Sequence, residues 1–257
     1  MRQYTLLAAA LVFAAACGDD PPTGPGTGMT AQMRADVAQS SGEAIAQHTE
    51  AMVRSEATAS AALFAFAGDP SQGDCTISLG TFLCINSLGA LDGETEIVFR
   101  DGGGIQQQDY DAETTASATV ETEWDGTIQR SDLVIDLSAS GDFAVTGMTG
   151  AEASRTWNGT AATSVSNAVH AGTRSYEWTA TSNWSSVVVA ASGDEPRWPL
   201  SGTVNANLQL EATEGPDEGR TASTTVQVTF NGTATVPLRV GGTEYTLDLS
   251  TRSVTEN

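Results

Sequence analysis

From residue 69 to the end of the chain, hydrophobic and polar residues alternate. In the segment TASATVETEW, Ala118, Val120 and Trp124 alternate with Ser, Thr and Glu, and the segments DLVIDLSAS, TVNANLQLEA and TTVQVTF repeat the pattern. Such alternation is typical of antiparallel strands that have one face in the core and one face in water. No long helical segments separate these strands, as parallel pairing would require. The pattern predicts a mainly β domain over residues 69–257, an antiparallel meander that forms a curved sheet, a sandwich or an open barrel.

The C-terminal part of this domain predicts a specific hairpin. In the segment VPLRVGGTEYTL, a turn at the two glycines pairs Leu238 with Tyr245 on one face and Arg239 with Glu244 on the other. Apolar partners then meet on the core side and opposite charges on the solvent side, so the register is self-consistent. Just before this hairpin, a three-residue loop at Asn231 is predicted, because a two-residue turn would mismatch the two faces.

Residues 29–68 have a helical composition, rich in Ala, Met, Gln and Glu, with apolar residues at spacings near three and four. Thr30 is placed to cap the start of a helix, and the segment SSGEA (Ser40 to Ala44), at a weak gap in the pattern, is the candidate point for a division into two helices. His48 lies on the apolar stripe and is predicted to be a packed residue of the helix face, most simply against the sheet; a helix that exposes its Met-rich face to a partner is the alternative. The chain is therefore expected to have an N-terminal helical segment that docks on the β domain.

The net charge narrows the choice of partners. The chain carries 32 acidic and 11 basic residues, a formal charge of −21, and every one of the 11 is Arg. Nucleic-acid backbones and anionic lipid surfaces would be repelled, so neither is an expected partner. The acidic residues are scattered along the sequence, which is typical of a surface adapted for solubility.

The first sixteen residues have the composition of an export signal. Arg2 precedes an apolar stretch, LLAAALVFAAA, that is shorter than a membrane-spanning helix requires. Residues 1–16 are therefore expected to be a signal peptide. The next segment, 17–28, contains three Pro and four Gly, a composition that predicts a flexible tether.

The junction between these two segments resembles the signal of bacterial lipoproteins. Ala14, Ala15 and Ala16 are small residues before Cys17, although the family usually has Leu at the first of these positions. The resemblance implies cleavage before Cys17 and acylation of this cysteine, with the membrane as partner through the lipid anchor. Gly18 directly after the cysteine implies sorting to the outer membrane, with a domain that faces the periplasm or the surface. Ordinary secretion with a free thiol at Cys17 is the alternative.

The other two cysteines fit an exported protein. Cys75 and Cys84 bracket the segment CTISLGTFLC, and a tight turn at Leu79 and Gly80 would place them opposite each other on a non-hydrogen-bonded pair. At such a pair the Cα atoms are close enough for a disulfide. Two buried free thiols are the alternative. Two cysteines with two distant histidines make a poor zinc site, so we expect no metal.

The sequence contains no recognisable catalytic motif. No nucleophile elbow, zinc-protease helix, P-loop or dinucleotide glycine pattern is present, and the absence of Lys excludes Schiff-base chemistry. His170, beside a predicted turn, is the main candidate for a catalytic imidazole. No motif in the sequence identifies the Ser and the Asp or Glu that would act with it. The five tryptophans lie in the β region, where they would pack in the core, stack on sugars or line a groove, and strand spacing favours the core. We expect no enzyme activity and no cofactor.

Two functions are compatible with these observations. The first is a non-catalytic cell-envelope lipoprotein, structural or binding other envelope proteins; the second is a carrier or sensor of a lipid or other apolar ligand held between helix and sheet. A hydrolase that uses His170 is a distant third. The β region also resembles exported bacterial proteins of unknown function that share strands with an aromatic-Asn-Gly-Thr pattern, as in TWNGT and TFNGT. That resemblance implies no activity.

Overall fold

The computed structural model describes residues 28–65, 74–88, 90–150, 152–170, 173–191 and 198–257. The predicted signal peptide and all of the predicted tether except Gly28 lie outside these residues. Within these described residues, one helix, α1 (Ala31–Ala65), precedes twelve strands. The strands are β1 (Asp74–Ser78), β2 (Thr81–Leu88), β3 (Leu91–Asp101), β4 (Thr115–Gln129), β5 (Leu133–Thr146), β6 (Ser154–His170), β7 (Arg174–Ala190), β8 (Ser201–Glu214), β9 (Thr221–Thr229), β10 (Thr235–Val240), β11 (Thr243–Asp248) and β12 (Ser253–Glu256).

All twelve strands form one antiparallel sheet in which each strand pairs with its neighbours in sequence. The predicted mainly β meander is thus confirmed, and its form is a single sheet, not a sandwich of two. The sheet is not closed, because β1 and β12 are its two edges. Helix α1 contacts β5 and β6 as well as β10 and β12, so the sheet curves around the helix. We call the face toward α1 the inner face and the opposite face the outer face.

The predicted C-terminal hairpin is confirmed in its register. Leu238 lies opposite Tyr245, and Arg239 lies opposite Glu244, with which it forms an exposed ion pair. Both glycines of the turn have positive φ, 56° at Gly241 and 89° at Gly242, as a two-residue hairpin turn requires. Apolar pairing on the inner face therefore fixes this register, as the alternation indicated.

The preceding loop differs from its prediction. Five residues, not three, separate β9 from β10, and Val228 lies opposite Leu238. The reason is local: the side-chain oxygen of Asn231 accepts a hydrogen bond from the Thr233 amide at 3.1 Å, and its nitrogen donates to the Thr235 carbonyl at 3.1 Å. These bonds stabilise a longer turn that the alternation pattern does not encode.

The β1–β2 hairpin has the predicted turn at Leu79 and Gly80, both with positive φ. This register places Cys75 directly opposite Cys84, whose side chain is buried. The placement is the one that a disulfide needs, and the bond between the two sulfurs stays a prediction.

Helix α1 is continuous where the sequence suggested a break. The Thr30 hydroxyl accepts the Met33 amide at 3.1 Å and so caps the helix as predicted. At Ser41 the hydroxyl donates to the Val37 carbonyl at 2.6 Å, a bond made inside the helix that leaves its backbone intact. Within the described residues, no helix combines the length and the apolar character needed to cross a bilayer.

The recurring aromatic-Asx-Gly pattern has a structural explanation. Its aromatic residues, such as Trp157 and Phe230, are buried on the inner face. Two residues later, Gly159 lies so close to β5 that a Cβ atom there would be 2.0 Å from the Asp142 carbonyl oxygen. The pattern therefore combines a core anchor with a point of close backbone approach, and glycine is the residue that fits.

Candidate binding groove on the outer face

The outer face carries unusually short side chains at its centre. The register aligns two rows of outward residues across β4 to β8, and on β5, β6 and β7 these are only Ser, Thr and Ala. Longer side chains stand at both ends of the rows, carboxylates on β4 and amides on β8. The rows are Glu123, Ser140, Ala162, Thr181 and Asn207, and beside them Asp125, Ser138, Ser164, Thr179 and Gln209.

Because the central side chains are short and the flanking ones long, the two rows line a concave space of about 770 Å³. A second space of about 680 Å³ shares Ser164, Thr179 and Gln209 with the first and reaches Thr221 and Ser223 on β9. We call the two spaces together the outer groove. It crosses the strands from β4 to β9, about 24 Å at the usual strand spacing.

The groove is acidic and polar. Its charged side chains are Glu123, Asp125, Glu177 and Glu211, and among the described residues that line it none is basic. An anionic ligand would therefore meet only like charge.

Next to the groove, three pairs of carboxylates face each other directly across β3 and β4. Glu96 lies opposite Glu121, and the next two outward-facing pairs along these strands repeat this arrangement. Like charges opposite each other are destabilising in a sheet, so this wall lowers the stability of the fold at low ionic strength. The other two pairs are Asp92 with Asp125 and Glu94 with Glu123.

On the inner face, helix α1 fixes the strand that forms the groove floor. Asp36 is buried and accepts hydrogen bonds from Arg174 Nε at 2.7 Å and from the Tyr176 hydroxyl at 2.9 Å. Burial, together with the neighbouring carboxylate, raises the pKa of the Tyr176 hydroxyl, so this group stays protonated and donates to Asp36. Both partners lie on β7, the strand that also presents Thr179 and Thr181 to the groove.

A second set of ion pairs connects α1 to two turns of the sheet. Glu43, fully buried, accepts from Arg130 Nη2 at 3.2 Å and from Arg252 Nη1 at 3.2 Å. Arg130 lies in the β4–β5 connection, and Arg252 lies between β11 and β12 and also pairs with Glu50. The helix thus joins both halves of the curved sheet.

The helix also covers one edge of the sheet. The side-chain amide of Gln39 donates to the Arg252 carbonyl at 3.1 Å and accepts from the Val254 amide at 3.2 Å. Both of these backbone groups belong to the edge at β12, where unpaired groups would otherwise invite another chain.

His48 packs against the sheet, as predicted. Its Nε2 lies 3.4 Å from the Thr163 hydroxyl, and its ring centroid is 6.1 Å from that of Trp184. Burial lowers the pKa of His48 to about 4, so the imidazole is neutral near pH 7. His170 ends β6, and its side chain lies outside the described part of the structure.

The tryptophans are core residues, as the strand spacing favoured. Trp124, Trp157, Trp178 and Trp184 are buried on the inner face, and Trp198 is partly buried against the same core. They do not provide a stacking surface in the groove. The core position of these rings leaves the outer groove to polar side chains.

The groove was not predicted from the sequence, and Cys17, the predicted lipidation site, lies outside the described residues. The signal for the groove was available: three consecutive strands carry only Ser, Thr and Ala at two adjacent outward positions. Recognising it required the cross-strand register, which the sequence did not provide for β5 to β8. Comparison of the chain with protein-family models, curated proteins and solved structures gives no match.

Proposed function

We propose that this protein is a non-catalytic binding module of the bacterial cell envelope, anchored to the outer membrane through an acylated Cys17, with the outer groove as its binding surface. The observation that carries the proposal is the groove itself. Its two parts have volumes of about 770 and 680 Å³, within the range typical of ligand sites. The ion pairs of α1 hold the strands beneath it, so the groove is formed before a ligand arrives.

The chemistry of the groove suits binding through hydrogen bonds. Its lining offers hydroxyl, amide and carboxylate groups. The membrane anchor is supported by the residues Ala14 to Cys17. Gly28, the last residue of the predicted tether, borders the second part of the groove.

The interior gives less support to a carrier of apolar ligands. Such a carrier needs space between helix and sheet, yet all ten residues from Ser40 to Thr49 are buried. Side chains of α1 fill this part of the interior. We therefore do not extend the proposal to a lipid carrier.

Binding at the groove is tested by site-directed photocrosslinking in bacterial envelopes. A benzophenone amino acid replaces Ala162 in the groove floor, and in a matched control it replaces Ala144, an exposed outer-face residue of β5 outside the groove. The proposal expects an adduct from position 162 that position 144 does not give. Equal labelling at both positions, or none at either, would overturn it.

The anchor is tested separately by membrane fractionation of a Cys17→Ala variant. Wild-type protein is expected in the membrane fraction and the variant in the soluble fraction. Unchanged membrane association of the variant would refute acylation at Cys17.

A further inference from the structure

We infer that the β1 edge of the sheet is a strand-addition site for an extended, antiparallel segment of a partner protein in which apolar and basic residues alternate. This interface goes beyond the function proposed for the outer groove and lies on other strands. Its backbone geometry and its exposed apolar side chains carry the inference, and the charge of the neighbouring strands selects the partner.

The two edges of the sheet differ in how the described structure covers them. At β12, Gln39 of α1 bonds to the backbone of Arg252 and Val254. At β1, no described strand pairs on the side away from β2, and every residue from Thr76 to Leu79 is exposed. An open edge strand is a template for pairing with another chain, so β1 is the edge at which a further strand can be added.

The register shows which backbone groups of β1 point outward. The two-residue turn closes with the pair Ser78 and Thr81, which is a hydrogen-bonded pair in such a hairpin. Hydrogen-bonded and non-hydrogen-bonded pairs alternate, so Ile77 and Phe82 form a non-hydrogen-bonded pair. The N–H and C=O of Ile77 therefore point away from β2, and the same holds for Cys75 two residues earlier.

Exposed apolar side chains concentrate at this edge. The described residues include five large apolar side chains that are exposed, and four of them are Ile77 in β1, Leu79 in the turn, Ile85 in β2 and Ile105 in the loop after β3. The loop contacts the turn, because Gln106 Nε2 donates to the Leu79 carbonyl at 3.0 Å. Clustered apolar side chains on the surface of a protein mark interaction sites.

The two faces of β1 select different residues in the added strand. Ile77 lies on the inner face with the buried Phe82, so a residue opposite it meets an apolar side chain. On the outer face, Thr76 continues through Leu83 to Glu96 and so leads to the carboxylate pairs of β3 and β4. A strand that alternates apolar and basic residues therefore matches both faces.

Charge decides between classes of partner. The added strand would lie three strand spacings from β3, about 14 Å, and the long stem of Lys or Arg carries its charge to within the Debye length, about 10 Å at 0.1 M salt. Arg100, the basic residue of β3, lies four residues beyond Glu96 and donates to the Gly104 carbonyl at 3.4 Å. An acidic segment would be repelled, and so would a second copy of this chain, whose formal charge is −21.

The test is fluorescence anisotropy of labelled peptides titrated with the full chain. The probe peptide alternates Lys and Val, and a second peptide has Glu in place of Lys. Two further peptides carry N-methyl groups, one on every Val and one on every Lys. In antiparallel pairing, a Val opposite Ile77 exchanges both backbone hydrogen bonds with it, so methylation of Val blocks the pairing edge and methylation of Lys leaves it open.

The probe peptide is expected to bind, and added salt is expected to weaken its binding. The Glu peptide and the Val-methylated peptide should bind at least about tenfold more weakly, while the Lys-methylated peptide should bind like the probe. Equal binding of the two methylated peptides would overturn strand addition. Equal binding of the Glu and Lys peptides would overturn the basic partner, and no binding of the probe would overturn the whole inference.

Variants of the protein locate the binding. Ile77→Pro removes the outward N–H and leaves the β1–β2 ladder intact, so the probe should bind at least about tenfold more weakly. Ile77→Ala keeps the N–H and should weaken binding about threefold through the lost apolar contact. Leu200→Ala is the matched control, because Leu200 before β8 has the same exposed fraction of 37%.

Equal losses in Ile77→Ala and Leu200→Ala would overturn the assignment to β1, as would wild-type binding by Ile77→Pro. Urea unfolding shows whether each variant is folded. The methylated peptides test the same backbone bonds on the unaltered protein, so a variant that does not fold leaves the inference open to refutation by these peptides.

Discussion

Asp36 of α1 and Arg174 of β7 form a two-point ion pair across 138 residues of sequence, with Arg174 Nε 2.7 Å from Oδ2 and Nη2 3.0 Å from Oδ1. The carboxylate is buried, and the guanidinium is about a quarter exposed. Replacing Asp36 by Asn leaves a partly buried positive charge without its partner. We expect the free energy of unfolding to fall by about 2 to 3 kcal/mol, below the range for fully buried pairs because Arg174 reaches solvent.

Urea unfolding measures this change. The control is Asp109→Asn in the connection between β3 and β4, whose exposed carboxylate makes no hydrogen bond or ion pair to another described residue and should be nearly neutral to stability. Equal losses in the two variants would show that the pair does not hold the helix.

His48 gives the fold a defined sensitivity to acid. Burial lowers its pKa from 6.5 to about 4 in the folded protein. Between these values the unfolded chain binds a proton that the folded chain does not, so the free energy of unfolding decreases as pH falls. The full loss is on the order of 3 kcal/mol and is complete once the pH passes below the folded pKa.

The measurement compares urea midpoints at pH 7, 5.5 and 4.5 for the wild type and His48→Gln. Carboxylate titrations are common to both proteins, so the difference between the two profiles isolates the imidazole. Parallel profiles would contradict this account of His48.

Gly159 is predicted to be essential for the close approach of β5 and β6. A Cβ atom there would lie 2.0 Å from the Asp142 carbonyl oxygen and 2.8 Å from Phe143 Cα, both backbone atoms that cannot move independently. We expect Gly159→Ala to cost about 2 kcal/mol, as overpacking of a core commonly does. Gly102→Ala is the control because a Cβ there meets nothing within 4 Å. Thermal unfolding should show a clear drop for the first variant and none for the second.

The carboxylate wall beside the groove should limit stability at low salt. Glu121 faces Glu96 on one side and Asp142 on the other. Replacing it by Arg turns two repulsive contacts into attractive ones, so we expect a gain of about 0.5 to 1 kcal/mol that diminishes with added salt. Glu244→Arg makes the same charge change opposite Arg239 and should destabilise instead. The same sign for both variants would show that net charge, and not pairing, is responsible.

The predicted disulfide between Cys75 and Cys84 can be tested directly. Their Cα positions are opposite each other in the β1–β2 register. If the protein is exported and oxidised, mass spectrometry without reductant should show one peptide link between them. Reduction should cost about 2 to 3 kcal/mol for a loop of this length. Alkylation of both thiols in the untreated protein would refute the bond.

Local pattern was enough to predict several elements correctly. The Gly-Gly hairpin followed from apolar pairing of Leu238 with Tyr245, because a shift by one residue would turn the apolar set toward water. The cap at Thr30 and the turn at Leu79 also depend on residues near them in sequence. The loop at Asn231 was mispredicted, since its length is set by side-chain bonds to the backbone and not by alternation.

The sequence by itself thus determined the strands, the helix and two hairpin registers, and it supplied the residues that predict export and acylation at Cys17. Only the tertiary structure decided that twelve strands form one sheet around α1, and that Asp36 meets Arg174. The groove belongs to this second group. Its rows join residues from Glu123 to Asn207, and their alignment depends on the summed lengths of four connections and on sheet curvature, neither of which a two-residue alternation can specify.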